Sequence, residues 1–515
     1  MAQQASMAQQ KTLAQQGASP TPPRPGSGTG GGSIQMDPNT DLAPWKASTG
    51  DPWDRKKAAH LLRRAGFGGS LAEVDAVVTL GMDRMVDILL SPAMQGLREY
   101  GTIVLPNGEI LNLTYNLNAR RAHWLWESAN GFYPLREKLA YFWHDHFSVG
   151  FENAQSAATL TKHINIFRRF GLGNFREILV EVTRDPAMLY WLDNYLNGNR
   201  GQINENYGRE LLELYSLGVT GGYTQQDVVE ASRCLTGWTL SGLEQFVFNP
   251  ATHMAGAKTV LGRTISNPNT GTLGMKDVFD LIEVILGYQN GGRHVAAEFV
   301  VKKIWEYFVA PAPYPALLTE LANRWHALDY DVRSLMSLIL RSNYFHGVTA
   351  YRRLVKSPVD FAVGAVRNLR APLGRYAVLA ARVQAMGLPL LAYSNPAGLE
   401  EGVAWIDSST MIARGNLANE ITRVNSSGGS LIWSTFDHWR EINEYGLTSA
   451  TAVVDHYLAL LVDGDVPAAV RTALIDFMNR TDAGVVPFTF TEAKVREKVR
   501  GLAHLILSLP EYQMA

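Results

Sequence analysis

Residues Asn204–Val219 read NENYGRELLELYSLGV, and this stretch indicates the fold class because its apolar and polar residues sort onto different faces of a helix. Tyr207, Leu211 and Leu214 recur at spacings of four and three residues, the repeat of a helix with one buried side. Polar side chains occupy most of the remaining positions. The stretch therefore predicts an amphipathic helix that packs against other elements through one apolar stripe.

The same spacing continues through most of the chain beyond residue 53. Apolar residues recur at three- and four-residue intervals over 55–91, 116–147, 157–182, 205–235, 275–308, 314–340, 358–385 and 448–508. Ser70-Leu-Ala-Glu73 and Thr224-Gln-Gln-Asp227 have the pattern of capping boxes, which satisfy free amides at a helix start. Strand-like alternation is confined to 238–263, where WTLSGLEQFVF and KTVLG predict one hairpin. We expect a mainly α, multi-helical globular core with one small β-hairpin insertion near 238–263.

Residues 1–50 differ from the rest in composition. They are rich in Gln, Gly, Pro, Ser and Thr, and they contain no aliphatic stretch that could begin a core. Such a composition is typical of disordered segments. We therefore predict a disordered leader at 1–50, a helical core with the candidate site at 51–385, and a C-terminal helical part packed on that core at 386–515.

Charge and cysteine content exclude several classes of protein. The chain has 47 Lys and Arg against 48 Asp and Glu, a net charge of −1, which excludes a basic nucleic-acid-binding protein. Cys234 is the only cysteine, so the chain has no internal disulfide framework and no cysteine-rich metal site. No segment reaches the roughly 18 apolar residues of a membrane span. No apolar stretch of about 7–15 residues predicts a signal peptide in this chain, which taken alone favours the cytoplasm.

The densest group of polar residues in the predicted core lies among aromatic residues between His144 and Glu213. Buried polar groups must be hydrogen-bonded or functional, because burying them unpaired costs several kcal/mol. On the predicted helix, Glu205, Arg209 and Glu213 form one row, which is compatible with an ion-pair ladder on a solvated face. Asn206, Glu210 and Glu213 form a second row that places two carboxylates beside an amide.

The second row suggests acid/base catalysis if it lines a cleft. Such catalysis needs one carboxyl that keeps its proton and one that stays ionised. We expect Glu210 to be the general acid and Asp193 or Glu213 to be the base or nucleophile. The predicted substrate-binding residues are Trp143, His144, Trp191, Asn206, Tyr207 and Arg209. The long connections Ala93–Asn112 and Leu388–Ser408 are candidates for the rims of the cleft.

Our first hypothesis is therefore a hydrolase that acts on a carbohydrate-like or other uncharged polymer through paired carboxylates in an aromatic-lined cleft. An acid beside an indole, as in Asp193 and Trp191, is compatible with a sugar-binding site. The expected partner is a polymeric or small neutral substrate, with neither nucleic acid nor a membrane span. No cofactor is expected.

Two other classes of function remain open. A non-catalytic binding or assembly protein of the cell envelope would use the same polar residues only to fix helix packing. A metal-dependent enzyme would use His144 and His146, although residues two apart on a helix point about 200° apart. The helix would have to end or distort for them to share one ion, which Ser148-Val149-Gly150 allows.

Several long motifs follow one another in the chain: AAHLLRRAGFG (Ala58–Gly68), LREKLAYFWHDHFSV (Leu135–Val149), GNFREILVEVTRDPAMLYWLDN (Gly173–Asn194), NENYGRELLELYSLGV (Asn204–Val219), YTQQDVVEASRCLTGW (Tyr223–Trp238), KSPVDFAVGAVR (Lys356–Arg367) and LAHLILSLPEYQ (Leu502–Gln513). Together they resemble a bacterial family, the domain of unknown function 1800 family, over roughly residues 53–513. The family has no established catalytic residues that the resemblance could transfer to this chain.

The resemblance implies an extracytoplasmic location, because members are commonly predicted to be exported. It also implies a partner protein encoded nearby, since members are often encoded beside a second exported protein. Members commonly carry His where this chain has Tyr215, and a Pro-Pro-rich, Gly-Trp segment where it has Leu391–Trp405. If the family site uses those groups, we expect the activity of this chain to be altered or lost.

Overall fold

Helices dominate the structure because the three- and four-residue apolar spacing turns one side of each segment toward a shared core. The computed structural model describes residues 36–91, 97, 101–151, 156–198, 203–242, 244–267, 271–423, 436–481 and 484–515. The predicted leader lies outside the described residues as far as residue 35. The prediction of a mainly α protein is confirmed.

Most of the helices in the described residues fall within the predicted segments, but six lie outside them: Pro38–Asp41, Pro186–Trp191, Asn343–His346, Ser408–Ile421, His438–Glu444 and Pro510–Gln513. In chain order the helices are α1 Pro38–Asp41, α2 Arg55–Arg64, α3 Leu71–Leu80, α4 Met82–Leu89, α5 Leu117–Asn130, α6 Pro134–His146, α7 Ala157–Phe170, α8 Phe175–Thr183, α9 Pro186–Trp191, α10 Asn206–Glu213, α11 Gln225–Cys234, α12 Lys276–Leu286, α13 Val295–Phe308, α14 Pro315–Ala327, α15 Val332–Arg341, α16 Asn343–His346, α17 Pro358–Asn368, α18 Tyr376–Ala385, α19 Ser408–Ile421, α20 His438–Glu444, α21 Ala450–Val462, α22 Ala468–Asn479, α23 Glu492–Leu507 and α24 Pro510–Gln513.

Both predicted capping boxes form. The Ser70 hydroxyl accepts a hydrogen bond from the Glu73 amide at 3.3 Å, and the Glu73 carboxylate accepts one from the Ser70 amide at 2.7 Å. Thr224 and Asp227 exchange the corresponding bonds at 3.2 and 2.7 Å. These bonds satisfy amides that the first turns of α3 and α11 would otherwise leave unpaired.

The strands pair only as small antiparallel hairpins in the part of the chain that the structure describes. They are β1 Thr102–Val104, β2 Ile110–Asn112, β3 Trp238–Ser241, β4 Gln245–Phe248, β5 Lys258–Val260, β6 Arg263–Ile265, β7 Gln289–Asn290, β8 Arg293–His294, β9 Arg480–Thr481 and β10 Gly484–Val485.

The single hairpin predicted at 238–263 is wrong in its pairing. WTLSGLEQFVF folds on itself, with Trp238 opposite Phe248, and KTVLG pairs with the residues that follow it, with Lys258 opposite Ile265. Each turn contains a glycine with positive φ, Gly242 in the first and Gly262 in the second. A tight local turn closes a hairpin with less loss of chain entropy than a longer connection would.

The core includes residues from the end of the predicted leader. Leu42 and Trp45 are only 3% and 7% exposed, and the Trp45 amide donates a hydrogen bond to the Arg341 carbonyl at 2.7 Å. The packed chain therefore begins before residue 50. Pro38–Ala515 form one compact unit, which contains both the predicted core at 51–385 and the predicted C-terminal part at 386–515.

None of the helices in the described ranges is both long enough and apolar enough to cross a membrane. This finding agrees with the absence of a predicted membrane-spanning segment.

Helix α10 lies unusually close to α11 because of one glycine. A Cβ atom on Gly208 would clash with the Ser232 hydroxyl and lie 3.0 Å from the Ser232 backbone nitrogen. Glycine is normally unfavourable inside a helix, so its position here is explained by this close approach of two backbones. Gly208 thereby sets how deeply α10 packs into the protein.

We expect Gly208→Ala to lower the free energy of unfolding by about 1–3 kcal/mol, because the added methyl group forces α10 and α11 apart. Gly415→Ala is the matched control, since Gly415 also lies inside a helix but no neighbouring atom lies within 4 Å of the place that a Cβ atom would take. That control should gain roughly 0.5–1 kcal/mol. Urea denaturation measures both, and equal effects of the two substitutions would contradict the close approach.

Candidate functional site

Helix α10 places Glu210 at the edge of the core. Tyr207 and Leu211 are buried on its apolar side, and the Tyr207 hydroxyl donates a hydrogen bond to Thr183 Oγ1 at 2.8 Å. Glu210 is 8% exposed, and burial raises the pKa of its carboxyl to about 7. The charge of Glu213 adds to this rise and that of Arg209 opposes it. A pKa near 7 is what a general acid requires at neutral pH, and general acid is the role that the sequence analysis predicts for Glu210.

The other residues of the two predicted rows have separate partners. Arg209 pairs with Glu205 at 3.0 Å and also donates to the Gln225 side chain at 2.9 Å, so part of the predicted ladder forms. Glu213 accepts a hydrogen bond from the Tyr223 hydroxyl at 2.6 Å. Asn206 is exposed at the first position of α10. Glu210 and Glu213 therefore act on each other electrostatically, while Arg209 faces α11.

Asp193 is not brought together with Glu210. It is exposed, with a left-handed backbone conformation (φ 56°), and its carbonyl accepts a hydrogen bond from the Asn204 side chain at 3.0 Å. Partial burial raises the pKa of Asp193, and no charged neighbour among the described residues contributes to that rise. Trp191 is half-buried and its ring lies against Gly150, where a Cβ atom would be 2.8 Å away.

Trp143, His144 and His146 are all buried in the last turns of α6. The Trp143 indole donates to the Gly171 carbonyl at 3.0 Å, and the His146 ring donates to the Tyr215 carbonyl at 3.0 Å. Both ring nitrogens of His144 lack a hydrogen-bond partner among the described residues. Within those residues no group of three His, Cys, Asp or Glu side chains is placed to hold a metal ion.

Asp145 lies between the two histidines in the sequence. Its carboxyl binds a loop that packs against the end of α6, a contact that the sequence analysis did not predict. The Leu399 amide donates to Asp145 Oδ1 at 3.0 Å. Gly398 has φ +80°, and a Cβ atom there would lie 2.7 Å from Asp145 Oδ2. The Ser148 hydroxyl donates to the Asn395 carbonyl at 2.7 Å and accepts from the Gly398 amide at 3.2 Å. The segment 391–401 is thus fastened over the C-terminal end of α6.

Charged and phenolic groups from three elements surround that carboxyl. We call Asp145, Lys303, Tyr393 and Glu401 the Asp145 cluster. Burial raises the pKa of Asp145, whereas the Leu399 amide, the Lys303 charge and the Tyr393 hydroxyl oppose the rise. Burial lowers the pKa of Lys303, which is half-buried on α13 with its ammonium 5.1 Å from the Phe299 ring centroid.

Glu401 is the one member of the cluster whose residue as a whole is exposed. Its carboxyl group is nevertheless enclosed by protein and faces the charges of Asp145, Asp360, Lys138 and Lys303. That enclosure and then the Asp145 charge raise the pKa of Glu401. The surroundings therefore favour different protonation states for the two carboxyls. Hydrogen-bond donors favour the ionised form of Asp145, whereas the negative charge of Asp145 favours the protonated form of Glu401.

One sequence signal could have pointed to this site. Asp145 stands in the middle of FWHDHF, where the flanking histidines suggested metal binding instead. The connection Leu388–Ser408 was predicted as a cleft rim, and it supplies Tyr393 and Glu401. Their meeting with Lys303 depends on tertiary packing, which no local pattern encodes.

The protein is mainly helical. Its Asp145 cluster holds two carboxyls, beside a loop that packs on α6, in an arrangement suited to acid/base chemistry. The chain belongs to the family described as "Protein of unknown function (DUF1800)", whose model matches residues 60–514. No curated protein and no solved structure matches the chain.

The raised pKa of Glu210 has a consequence for stability. Its pKa is about 7 in the folded protein and about 4.3 in the unfolded chain, so the folded state favours the protonated form. The favourable contribution of protonated Glu210 to the free energy of unfolding is fully present below about pH 4.3 and is lost as the pH rises through 7. We expect Glu210→Gln to exceed the wild type in free energy of unfolding at pH 8, by up to about 3 kcal/mol, and to lose that advantage near pH 4.5.

Urea denaturation between pH 4.5 and 8 measures the difference. Glu205→Gln on the same helix is the control, because Glu205 is half-buried and paired with Arg209. A difference between Glu210→Gln and wild type that does not change with pH would show that Glu210 has the same pKa in the folded protein as in the unfolded chain.

The two histidines His144 and His163 should respond differently to replacement. His163 bonds Asp185 at 2.7 Å and the Phe147 carbonyl at 3.1 Å, so His163→Leu leaves a buried carboxylate without its partner and should cost about 3 kcal/mol. His144 has no protein partner to lose among the described residues, and we expect His144→Leu to cost less than about 1 kcal/mol. Thermal denaturation compares the two, and an equal loss would mean that a bound group satisfies His144.

Proposed function

We propose that the protein is a hydrolase that cleaves a carbohydrate-like or other uncharged polymer by acid/base catalysis, with Asp145 and Glu401 as its pair of carboxyls. One observation carries the proposal: two carboxyls from distant segments meet a lysine and a tyrosine where the loop 391–401 is fastened to α6. Acid/base hydrolysis requires two such groups whose environments separate their protonation states.

The surroundings assign a role to each carboxyl. Asp145 accepts hydrogen bonds from the Leu399 amide and the Tyr393 hydroxyl and faces Lys303, and all three favour the carboxylate. Asp145 is therefore the base that takes a proton from the attacking water. The negative charge of Asp145 favours the protonated form of Glu401. Glu401 is therefore the acid that donates its proton to the leaving oxygen as the bond to that oxygen breaks.

A neutral substrate fits the side chains beside the cluster. Phe299 and Tyr307 are half-buried on α13, and Tyr393 stands over His144 with ring centroids 4.9 Å apart. Aromatic faces suit the apolar faces of sugar rings. With a net charge of −1 and only 18% charged residues, the protein offers little electrostatic attraction for a charged polymer. Export from the cytoplasm is a further part of the proposal and rests on the family resemblance.

The carboxyl pair predicted from sequence offers a second location for the same chemistry. Burial raises the pKa of Glu210 to about 7, and Glu213 accepts a hydrogen bond from the Tyr223 hydroxyl at 2.6 Å. Glu210 and Glu213 lie on one helix, however, whereas Asp145 and Glu401 come from two elements that the Leu399 amide ties together. We prefer the Asp145 cluster for this reason.

The test is hydrolysis of a panel of dye-linked neutral polysaccharides and nitrophenyl glycosides by purified full-length protein at pH 5–7. We expect Asp145→Asn and Glu401→Gln each to lower kcat at least about 100-fold while leaving the melting temperature near that of wild type. Glu400→Gln is the matched control, because Glu400 is an exposed neighbour of Glu401.

Three outcomes separate the alternatives. Full activity in Glu401→Gln, with Glu210→Gln inactive, would move the reaction to the pair predicted from sequence. Full activity in both variants would contradict acid/base catalysis by these carboxyls. A wild-type protein that cleaves nothing in the panel would contradict the proposed substrate class.

A further inference from the structure

A small cavity lies between α2, α17 and α21, on residues that the proposed reaction does not use. Its volume is about 60 Å³, enough for several water molecules. Its walls include Phe67 and Gly68 from AAHLLRRAGFG, and Lys356 and Gly364 from KSPVDFAVGAVR. Arg55, whose side chain is 62% exposed, stands at its edge. The cavity thus joins two of the motifs that mark the chain's family.

Lys356 presents a buried cation to this cavity. The residue is only 3% exposed, and its ammonium lies 3.4 Å from the centroid of the Tyr512 ring. No carboxylate or carbonyl among the described residues accepts a hydrogen bond from that ammonium. Burial lowers the pKa of Lys356 and the neighbouring Arg63 charge lowers it further, whereas the charges of Asp463 and Asp360 oppose this change. A buried ammonium without an acceptor is costly unless another group supplies one.

Arg63 adds a second unsatisfied donor on the cavity wall. Its two terminal nitrogens bond Asp463 at 3.1 and 2.9 Å, but its Nε is buried with no hydrogen-bond partner in the described part of the chain. Asp463 also accepts from the Tyr351 hydroxyl at 2.9 Å and lies 3.8 Å from Arg352. Asp463 is therefore already shared among several donors and cannot serve Lys356 as well.

The second carboxylate of the wall is occupied too. Asp360 is ion-paired with the buried Lys138 and accepts from the Ser357 hydroxyl at 3.0 Å. The charged residues that line the cavity are Arg55, Arg63, Lys356, Asp360 and Asp463. Arg55 is paired with Asp75, Arg63 with Asp463 and Asp360 with Lys138, so Lys356 is the one lining charge without an ion-pair partner among the described residues. An unpaired cation in a low-dielectric interior favours a bound negative ion.

We propose that this cavity is a binding site for a small monovalent anion of halide or carboxylate size, held by the Lys356 ammonium beside the Arg63 guanidinium. The anion would give the Lys356 ammonium the acceptor that the protein does not provide, and charge-assisted bonds of this kind are the stronger ones. The volume of about 60 Å³ suits a small ion, and Phe67 is among the residues that line the cavity. No lining residue of this cavity takes part in the proposed hydrolase reaction, so the two proposals can be tested separately.

The probe is bromide, titrated from 0 to about 200 mM against gluconate at constant ionic strength, with the melting temperature of the full chain as the readout. We expect a saturable rise of about 2 °C in wild type, since a ligand that binds only the folded state raises the melting temperature. Lys356→Met should lose this rise. Lys276→Met, which removes a lysine on α12 away from the cavity, should keep it and controls for general salt effects.

A second measurement tests the proposal without a substitution, in case Lys356→Met fails to fold. Crystals of the wild-type chain soaked in bromide should show anomalous scattering beside Lys356 and Arg63. The absence of that peak, or a bromide response in Lys356→Met equal to that of wild type, would overturn the proposal and leave the cavity to water.

Discussion

The hydrogen bond from the Leu399 amide to the Asp145 carboxylate holds together the part of the protein where chemistry is proposed. Helix α6 is buried along most of its length, so the polar groups of its last turn meet little water. The segment 391–401 supplies donors to them, and Gly398 allows its backbone to approach because a Cβ atom there would lie 2.6 Å from the Asp145 carbonyl oxygen. The same contact places Tyr393 and Glu401 beside Asp145. The contact between the loop and Asp145 therefore determines both where the loop lies and which groups surround the Asp145 carboxyl.

Scarcity of charge shapes the rest of the interior. Only 18% of the residues are charged, yet several of these are buried as pairs, including Arg168 with Glu137 and Lys258 with Asp277. A buried pair costs desolvation energy and is retained where its geometry and hydrogen bonds compensate for that cost. Most buried charges of the described residues have such partners. The Glu210 carboxyl and the Lys356 ammonium are buried and form no ion pair among the described residues, and Arg64 and Arg414 bond only to neutral oxygens.

The helical part of the fold could be predicted from the sequence because its signals are local. The spacing of Tyr207, Leu211 and Leu214 defines a helix face, and Ser70 with Glu73 defines a helix start. The pairing inside 238–263 was wrong because alternation marks strands without specifying their partners. Trp45 was assigned to the leader because a single buried side chain in a polar stretch leaves no periodic pattern.

The candidate site was predictable only in part for the same reason. The burial of Glu210 follows from its place beside the apolar stripe of one helix, and its raised pKa follows from that burial. Glu401 and Lys303 are far from Asp145 in the chain, and their charges meet only after the helices pack. A sequence pattern sorts residues onto the faces of one element, whereas a site assembled from several elements depends on how those faces meet.

Asp360 connects the cavity to the cluster electrostatically. Its charge raises the pKa of Glu401 on one side and that of Lys356 on the other, and it is paired with Lys138, which lowers the pKa of Glu401. An anion beside Lys356 would add negative charge to this group, and negative charge near a carboxyl favours the protonated form. Glu401 must keep its proton to act as an acid. An anion in the cavity would therefore favour the protonated form of Glu401, which the proposed reaction requires, even though no residue of the cavity touches the substrate.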